Sequence, residues 1–160
     1  MAAITANVVR PLKDRMFEQI MVPVKSGVVI YEGAIVCIDA TGYLDNLAAG
    51  NYAAAQQIGI VVDRDSVDPP GTTTSAGSTM NDRSTLPAGG KTVRMVAITG
   101  TFLMDFPGTI TQAANGAKVW APNNNDCQIV NTTAAALGSI VSVFSTTQAW
   151  VQLNFFKGAN

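Results

Sequence analysis

The sequence predicts an all-β domain, and three observations carry that reading. Apolar residues recur with a period of two in several short runs. Those runs are rich in Val, Ile and aromatic residues and are bounded by Gly, Asn, Asp and Pro. Charged residues make up only 13% of the chain against 48% hydrophobic, so the surface is built from Thr, Ser, Asn, Gln and Gly rather than from charge. That excludes a solvated disordered tail. A chain of 160 residues is one domain's worth of sequence, and short strands with frequent turns point to a sandwich or barrel-like architecture.

The first 21 residues read as an arm preceding a single β-rich domain over 22–160. Within the arm, Leu12, Met16 and Ile20 fall at i, i+4 and i+8, which suits a short amphipathic helix with Pro11 in its first turn. An extended arm with a strand at Ile20 to Val24 fits equally well, and Pro23 would confine that strand to a sheet edge. Val28 to Tyr31 and Ala34 to Ile38 are β-branched runs broken at Glu32-Gly33. Asp39-Ala40-Thr41-Gly42 is a turn, after which Tyr43-Leu44 resumes. A short helical stretch is allowed over 45–56. Ile58 to Val62 is the next strand.

Val67 to Gly90 is rich in Pro, Gly, Ser and Thr and nearly free of large apolar residues. It predicts a long exposed loop, of a length that is usually functional or mobile. Thr92 to Ile98 then alternates, with Val93, Met95 and Ala97 on one face and Arg94 on the other. Further strands are expected at Phe102 to Asp105, Lys118 to Ala121, Gln128 to Asn131 and Ser139 to Phe144. The closing strand, Gln148 to Phe155, puts Val151, Leu153 and Phe155 inward and Trp150, Gln152 and Asn154 outward. An outward Trp on a strand often marks an interface, and a core Trp at a bulged strand is the alternative.

A weak internal echo runs through this order. Gly33-Ala34-Ile35-Val36 leads to Ile58-Gly59-Ile60-Val61, and Gly116-Ala117-Lys118-Val119 leads to Leu137-Gly138-Ser139-Ile140. Shared hairpin grammar and a duplicated half both account for it.

Composition excludes several activities. The chain has no histidine, so Ser-His-Asp and Cys-His hydrolases of ordinary type are ruled out. A net charge of -1 gives no basic field for nucleic acid. Cys37 and Cys127 are the only cysteines; they form no CxxC pair and read as buried free thiols. The N-terminus lacks a signal-peptide pattern and no run is long enough to span a bilayer, so a soluble protein made in the cytoplasm is expected.

Candidate chemistry is thin. Ala88-Gly89-Gly90-Lys91-Thr92 resembles the end of a phosphate loop, but the upstream glycine is missing and a strand follows where a helix is required. Asp63, Asp65 and Asp68 could face a divalent cation, but lack the EF-hand spacing and are partly compensated by Arg64. Asn131-Thr132-Thr133 is a formal glycosylation sequon, without meaning unless the chain is secreted. No metal, cofactor or catalytic group is expected.

The ordered set of features resembles the capsid cement (decoration) proteins of tailed bacteriophages. The stretch from Val24 to Tyr43, with Gly27-Val28, Ile30, Gly33, Val36, Asp39 and Gly42-Tyr43, looks like that family's opening. Ile58-Gly59-Ile60-Val61, Val96 to Phe102, Gly116-Ala117-Lys118-Val119-Trp120, Leu137-Gly138 and Trp150 to Phe155 follow in the family's order. The similarity covers roughly Val24 to Phe156; the long N-terminal segment and the 67–90 insert depart from it. The resemblance implies a small β-barrel or β-tulip-like domain and a structural virion protein, not an enzyme. Such a protein binds the capsid exterior, commonly as a homotrimer, and bridges neighbouring major capsid proteins, with no nucleic acid or membrane partner.

Residues 1–25 carry a net +2 and the remainder -3, so the arm suits an acidic neighbour. The expected partner interface is therefore Val8, Val9, Arg10, Leu12, Met16, Phe17 and Ile20, together with Trp150. The alternative function is a surface-displayed adhesion module binding a glycan or host protein through the 67–90 loop or the outer β-face. A carboxylate enzyme using Asp63, Asp65 or Asp105 stands third.

Overall fold

A computed structural model describes residues 10–13, 17–28, 30–48, 51, 55, 57–62, 93–130 and 134–154. The 67–90 loop, the Asp63–Asp68 cluster, Ala88–Thr92, Asn131–Thr133, Val8, Val9, Met16 and Phe155 lie outside those residues.

Among the described residues nine strands make two antiparallel sheets, and the chain is all-β as its alternation requires. They are β1 (Gln19–Pro23), β2 (Ile35–Ile38), β3 (Leu44–Asn46), β4 (Gln57–Val61), β5 (Val93–Ala97), β6 (Gly100–Asp105), β7 (Lys118–Ala121), β8 (Ala135–Ser145) and β9 (Gln148–Leu153). The first sheet has the order β1-β5-β4-β2-β3 and the second β6-β9-β8-β7. An isolated parallel bridge joins Val24 to Leu44, and an antiparallel one joins Trp120 to Gln128.

With that second bridge included, the two sheets repeat one plan. Cys37 pairs with Asp45 as Trp120 does with Gln128. Val36 faces Gly59 as Val119 faces Gly138. Val61 faces Val96 as Ile140 faces Val151. The hydrogen bonds repeat too. Gly33 N–H donates to the Val61 carbonyl and Gly116 N–H to that of Ile140, both at 2.8 Å. Val61 N–H returns a bond to Ala34, and Ile140 N–H to Ala117. Gly33 and Gly116 share a left-handed backbone, φ 79° and 83°, which glycine adopts without strain. The sequence echo is thus a duplicated fold unit.

Gly59 and Gly138 hold the same place for the same reason. A Cβ on Gly59 would overlap Val96 Cγ1 and sit 2.6 Å from the Ala97 carbonyl oxygen. On Gly138 it would overlap the Gln152 carbonyl oxygen. Only a bare backbone lets the next strand approach this closely.

Each unit buries one face in its own core. Val36, Val61 and Val96 pack with Val22, Ile30 and Leu44. Val119, Ile140 and Val151 pack with Phe102, Met104 and Phe106. The first sheet's other face, Ile35, Cys37, Ile60 and Ala97, joins this second cluster. Hence β2 and β4 are apolar at successive positions, as strands buried on both faces must be.

Several expectations need correction. Val28, Ile30 and Tyr31 are not strand; they form an irregular cover in which Ile30 is fully buried over the first sheet. Gln128 contributes a single bridge rather than a strand. Arg94 is completely buried, opposite Val22, while Val93 and Met95 are half-buried. Alternation alone set it apart from the apolar Val93 and Met95, but its face is the one shared with Val22 and Val96 and turned to the first core, while the Val93 and Met95 face carries the exposed Met21. The extended alternative for the arm is realised over 19–23, with Pro23 on an edge strand. The boundary expected between residues 21 and 22 falls inside β1, because Gln19, Ile20 and Met21 pair with Ala97, Val96 and Met95.

Candidate functional site

The described part of the N-terminal segment is a strap on its own domain. The Leu103 N–H donates to the Pro11 carbonyl at 3.0 Å, and Lys13 N–H donates to that of Thr101 at 2.9 Å. Leu12 bridges Phe102, so residues 11–13 add to the edge of β6. Phe17 packs edge-on to Phe102 at 6.3 Å. Ile20 packs on the first core.

Arg10 anchors the strap. Its side chain is 2% exposed. Nε donates to the Gly33 carbonyl at 2.6 Å, and Nη2 to the Asn125 carbonyl at 3.0 Å and to Asn125 Oδ1 at 3.1 Å. Nη1 lies 3.5 Å from Asp105 Oδ2. Burial lowers the Arg10 pKa, and the charge and hydrogen bond of Asp105 and the charge of Asp126 oppose that shift. The acceptor turn is itself fixed: Asn123 Oδ1 accepts from Asn125 N–H at 2.8 Å and Asp126 N–H at 2.9 Å. Arg10 therefore ties together the β2 entry turn, the 123–126 turn and the end of β6. Of the residues expected to face a partner, Arg10, Leu12, Phe17 and Ile20 are engaged within the chain. Leu12, Phe17 and Ile20 are half-buried against the two cores, so much of their apolar area is covered within the chain, while Met21 stays exposed.

Trp150 stands where alternation put it, on the solvent side of the second sheet. Its indole meets Phe144 edge-on at 6.5 Å, and Lys13 Nζ lies 6.0 Å from its ring centroid. The sequence did not single out Phe144 or Val141. Strand β8 carries register shifts between Ile140 and Ser142 and between Val143 and Ser145. The extra residues are Val141 and Phe144, exposed at 43% and 63%. A bulge sets an additional side chain against one partner residue and re-aims it. Two bulges in one strand thus place a Val and a Phe outward beside Trp150. Period-two reading fails at such points, because each insertion breaks the alternation.

Lys118, on β7, and Lys13 are both exposed on this side, and neither joins a salt bridge among the described residues. Asp105 is held by Arg10 and by Gln148 Nε2 at 2.9 Å.

The described residues hold no group of three or more His, Cys, Asp or Glu side chains suited to a metal ion. Cys37 and Cys127 are free and buried, and burial pushes both thiols up to about 12. Such thiols are poor nucleophiles. A cleft of about 150 Å³ lies under the strap between Arg10, Phe17, Glu32 and Val62. A second, of about 260 Å³, is lined by Phe106, Ile110, Cys127, Ile129 and Val130. Neither brings a nucleophile to a base. Among the described residues no helix is long and apolar enough to cross a membrane. Compared with known proteins, the chain matches no family, no curated protein and no solved structure.

Proposed function

We propose that this chain is a structural virion protein, a capsid cement that binds the exterior of an assembled phage shell and bridges its major capsid proteins. The observation that carries the reading is the outer side of the second sheet. Two bulges present Val141 and Phe144 beside Trp150, a surface shaped for protein contact rather than for chemistry. An exposed Phe144 resting on a half-buried Trp150 amid neutral polar groups has the makings of a non-obligate protein interface. The reading requires no catalytic residue, cofactor or metal.

A cement acts by linkage: it binds the assembled lattice better than free subunits, so its binding energy adds to shell stability. At about 100 times Kd that amounts to roughly 2.7 kcal/mol per site, multiplied over many sites and strengthened where subunits are joined beforehand. The adhesion alternative uses the same aromatics, but Lys13 over the Trp150 ring and Phe144 against it leave a poor platform for stacking a sugar. The test is to mix the purified chain with expanded, undecorated tailed-phage capsids. Co-sedimentation and a raised shell-disruption temperature are expected; failure to sediment with any such shell rejects the reading.

A further inference from the structure

The duplicated unit identifies what covers the open side of the second sheet. In the first unit, Ile35, Ile60 and Ala97 point away from that unit's own core, and all three are completely buried. They lie in one cluster with Phe102, Val119, Ile140 and Val151 of the second unit. Matching the ladders places Lys118 at the position of Ile35, since Ile35 pairs with Ile60 as Lys118 pairs with Ser139. Ser139 then corresponds to Ile60 and Gln152 to Ala97, because Ile60 pairs with Ala97 as Ser139 pairs with Gln152. Lys118 and Gln152 are exposed and Ser139 is half-buried. One side of the same fold unit is therefore covered in the first copy, by the unit that follows it, and open in the second, where the described chain supplies no further unit.

We propose that this open side is covered by a second copy of this chain, in a head-to-tail contact that repeats between neighbours. The chemistry of the surface agrees. Where the first unit has Ile, Ile and Ala, the second has Lys, Ser and Gln, the change expected when a face must stay soluble until subunits meet. Apolar anchors remain in Trp150, Phe144 and Val141. A two-fold, face-to-face pairing would set the patch carrying Lys13 and Lys118 against an identical patch, and like charges brought together disfavour it. In a head-to-tail contact they meet a different surface. The chain is net -1 and these two lysines carry +2, so that surface belongs to a remainder of net -3. A heterologous contact that closes must form a ring of three or more copies. This names the face behind the oligomer that the shell-binding reading invokes, yet it can be measured without shells.

The test uses the full-length chain and sedimentation velocity over a wide concentration range. A closed species of three or more 16.7 kDa chains is expected. Phe144→Asp should weaken its assembly at least about tenfold while leaving the thermal melt unchanged at concentrations where both proteins are monomeric, because Phe144 is exposed in the single chain. Phe144→Cys, under mild oxidation, should form no 144–144 disulfide, since a head-to-tail contact keeps those positions apart. A wild-type chain that is monomeric throughout, or that stops at a dimer, overturns the proposal. So does assembly insensitive to Phe144→Asp, or a ready disulfide dimer of Phe144→Cys. If shells are still decorated in any of those cases, the cement reading survives and only this face is rejected.

Discussion

Replacing Arg10 with alanine tests whether the N-terminal strap belongs to the fold. The guanidinium donates to the Gly33 carbonyl and to two acceptors of Asn125 from a side chain only 2% exposed. Its contact with Asp105 is long, at 3.5 Å, and that carboxylate's side chain is 48% exposed, so the ion pair itself contributes little. The loss comes from the buried acceptors. A hydrogen bond from a charged donor contributes about 1.5–3 kcal/mol, and stranding a buried partner costs about 1–3. These contributions share one side chain and do not add fully, which leaves an expected loss of about 3–5 kcal/mol. For a chain of this size that lowers Tm by about 10 °C. Arg10→Lys keeps the charge but cannot reach three acceptors from one ammonium, so it should recover only part of the loss. Urea unfolding of the three proteins measures this. Amide exchange gives an independent reading, since the Leu103 N–H, bonded to Pro11, should exchange faster once the strap is freed. If Arg10→Ala costs less than about 1 kcal/mol, the strap is an appendage and the reasoning is wrong.

Two further outcomes are expected. Gly138→Ala and Gly59→Ala should each cost at least about 2 kcal/mol by overpacking, Gly138→Ala more, because its new methyl meets only backbone of Gln152 and Leu153 whereas that of Gly59 also meets a Val96 methyl; wild-type melting of either variant would contradict the close-approach argument. Cys37 and Cys127, held protonated by burial with pKa pushed up from 9.0 to about 12, should resist a thiol reagent in the native protein and react once unfolded. The linkage has a definite sign: the unfolded thiols ionise first, so stability is full below pH 9 and falls as pH rises towards 12. Rapid native labelling, or a urea midpoint flat across that interval, would refute it.

The arm shows how far local pattern reaches. Its large apolar residues and positive charge were visible in the sequence, and they led to an interface with another molecule. A list of apolar residues does not say which surface they meet. That depends on which surfaces the rest of the fold leaves open, and here Leu12 pairs with Phe102 while Phe17 packs edge-on to its ring. Arg94 carries the same lesson, for alternation separates two faces without saying which of them turns to the core.

By itself the sequence determined the all-β character, the positions of β2, β4, β5, β6, β7 and β9, the Asp39 turn and the outward placement of Trp150. Each of these follows from the period of the pleat or from the chemistry of a short segment, and both are local. The Gly-Ala and apolar-Gly echoes were also legible, but only the ladders established them as one repeated unit, since a shared motif and a shared pairing partner are different facts. The tertiary structure alone decided that Arg10 is a buried anchor, that β8 bulges at Val141 and Phe144, and that one copy of the repeated face is covered while the other is open. Those features depend on partners far apart in the chain, with Arg10 reaching Asn125 across 115 residues, and no local period records such a contact.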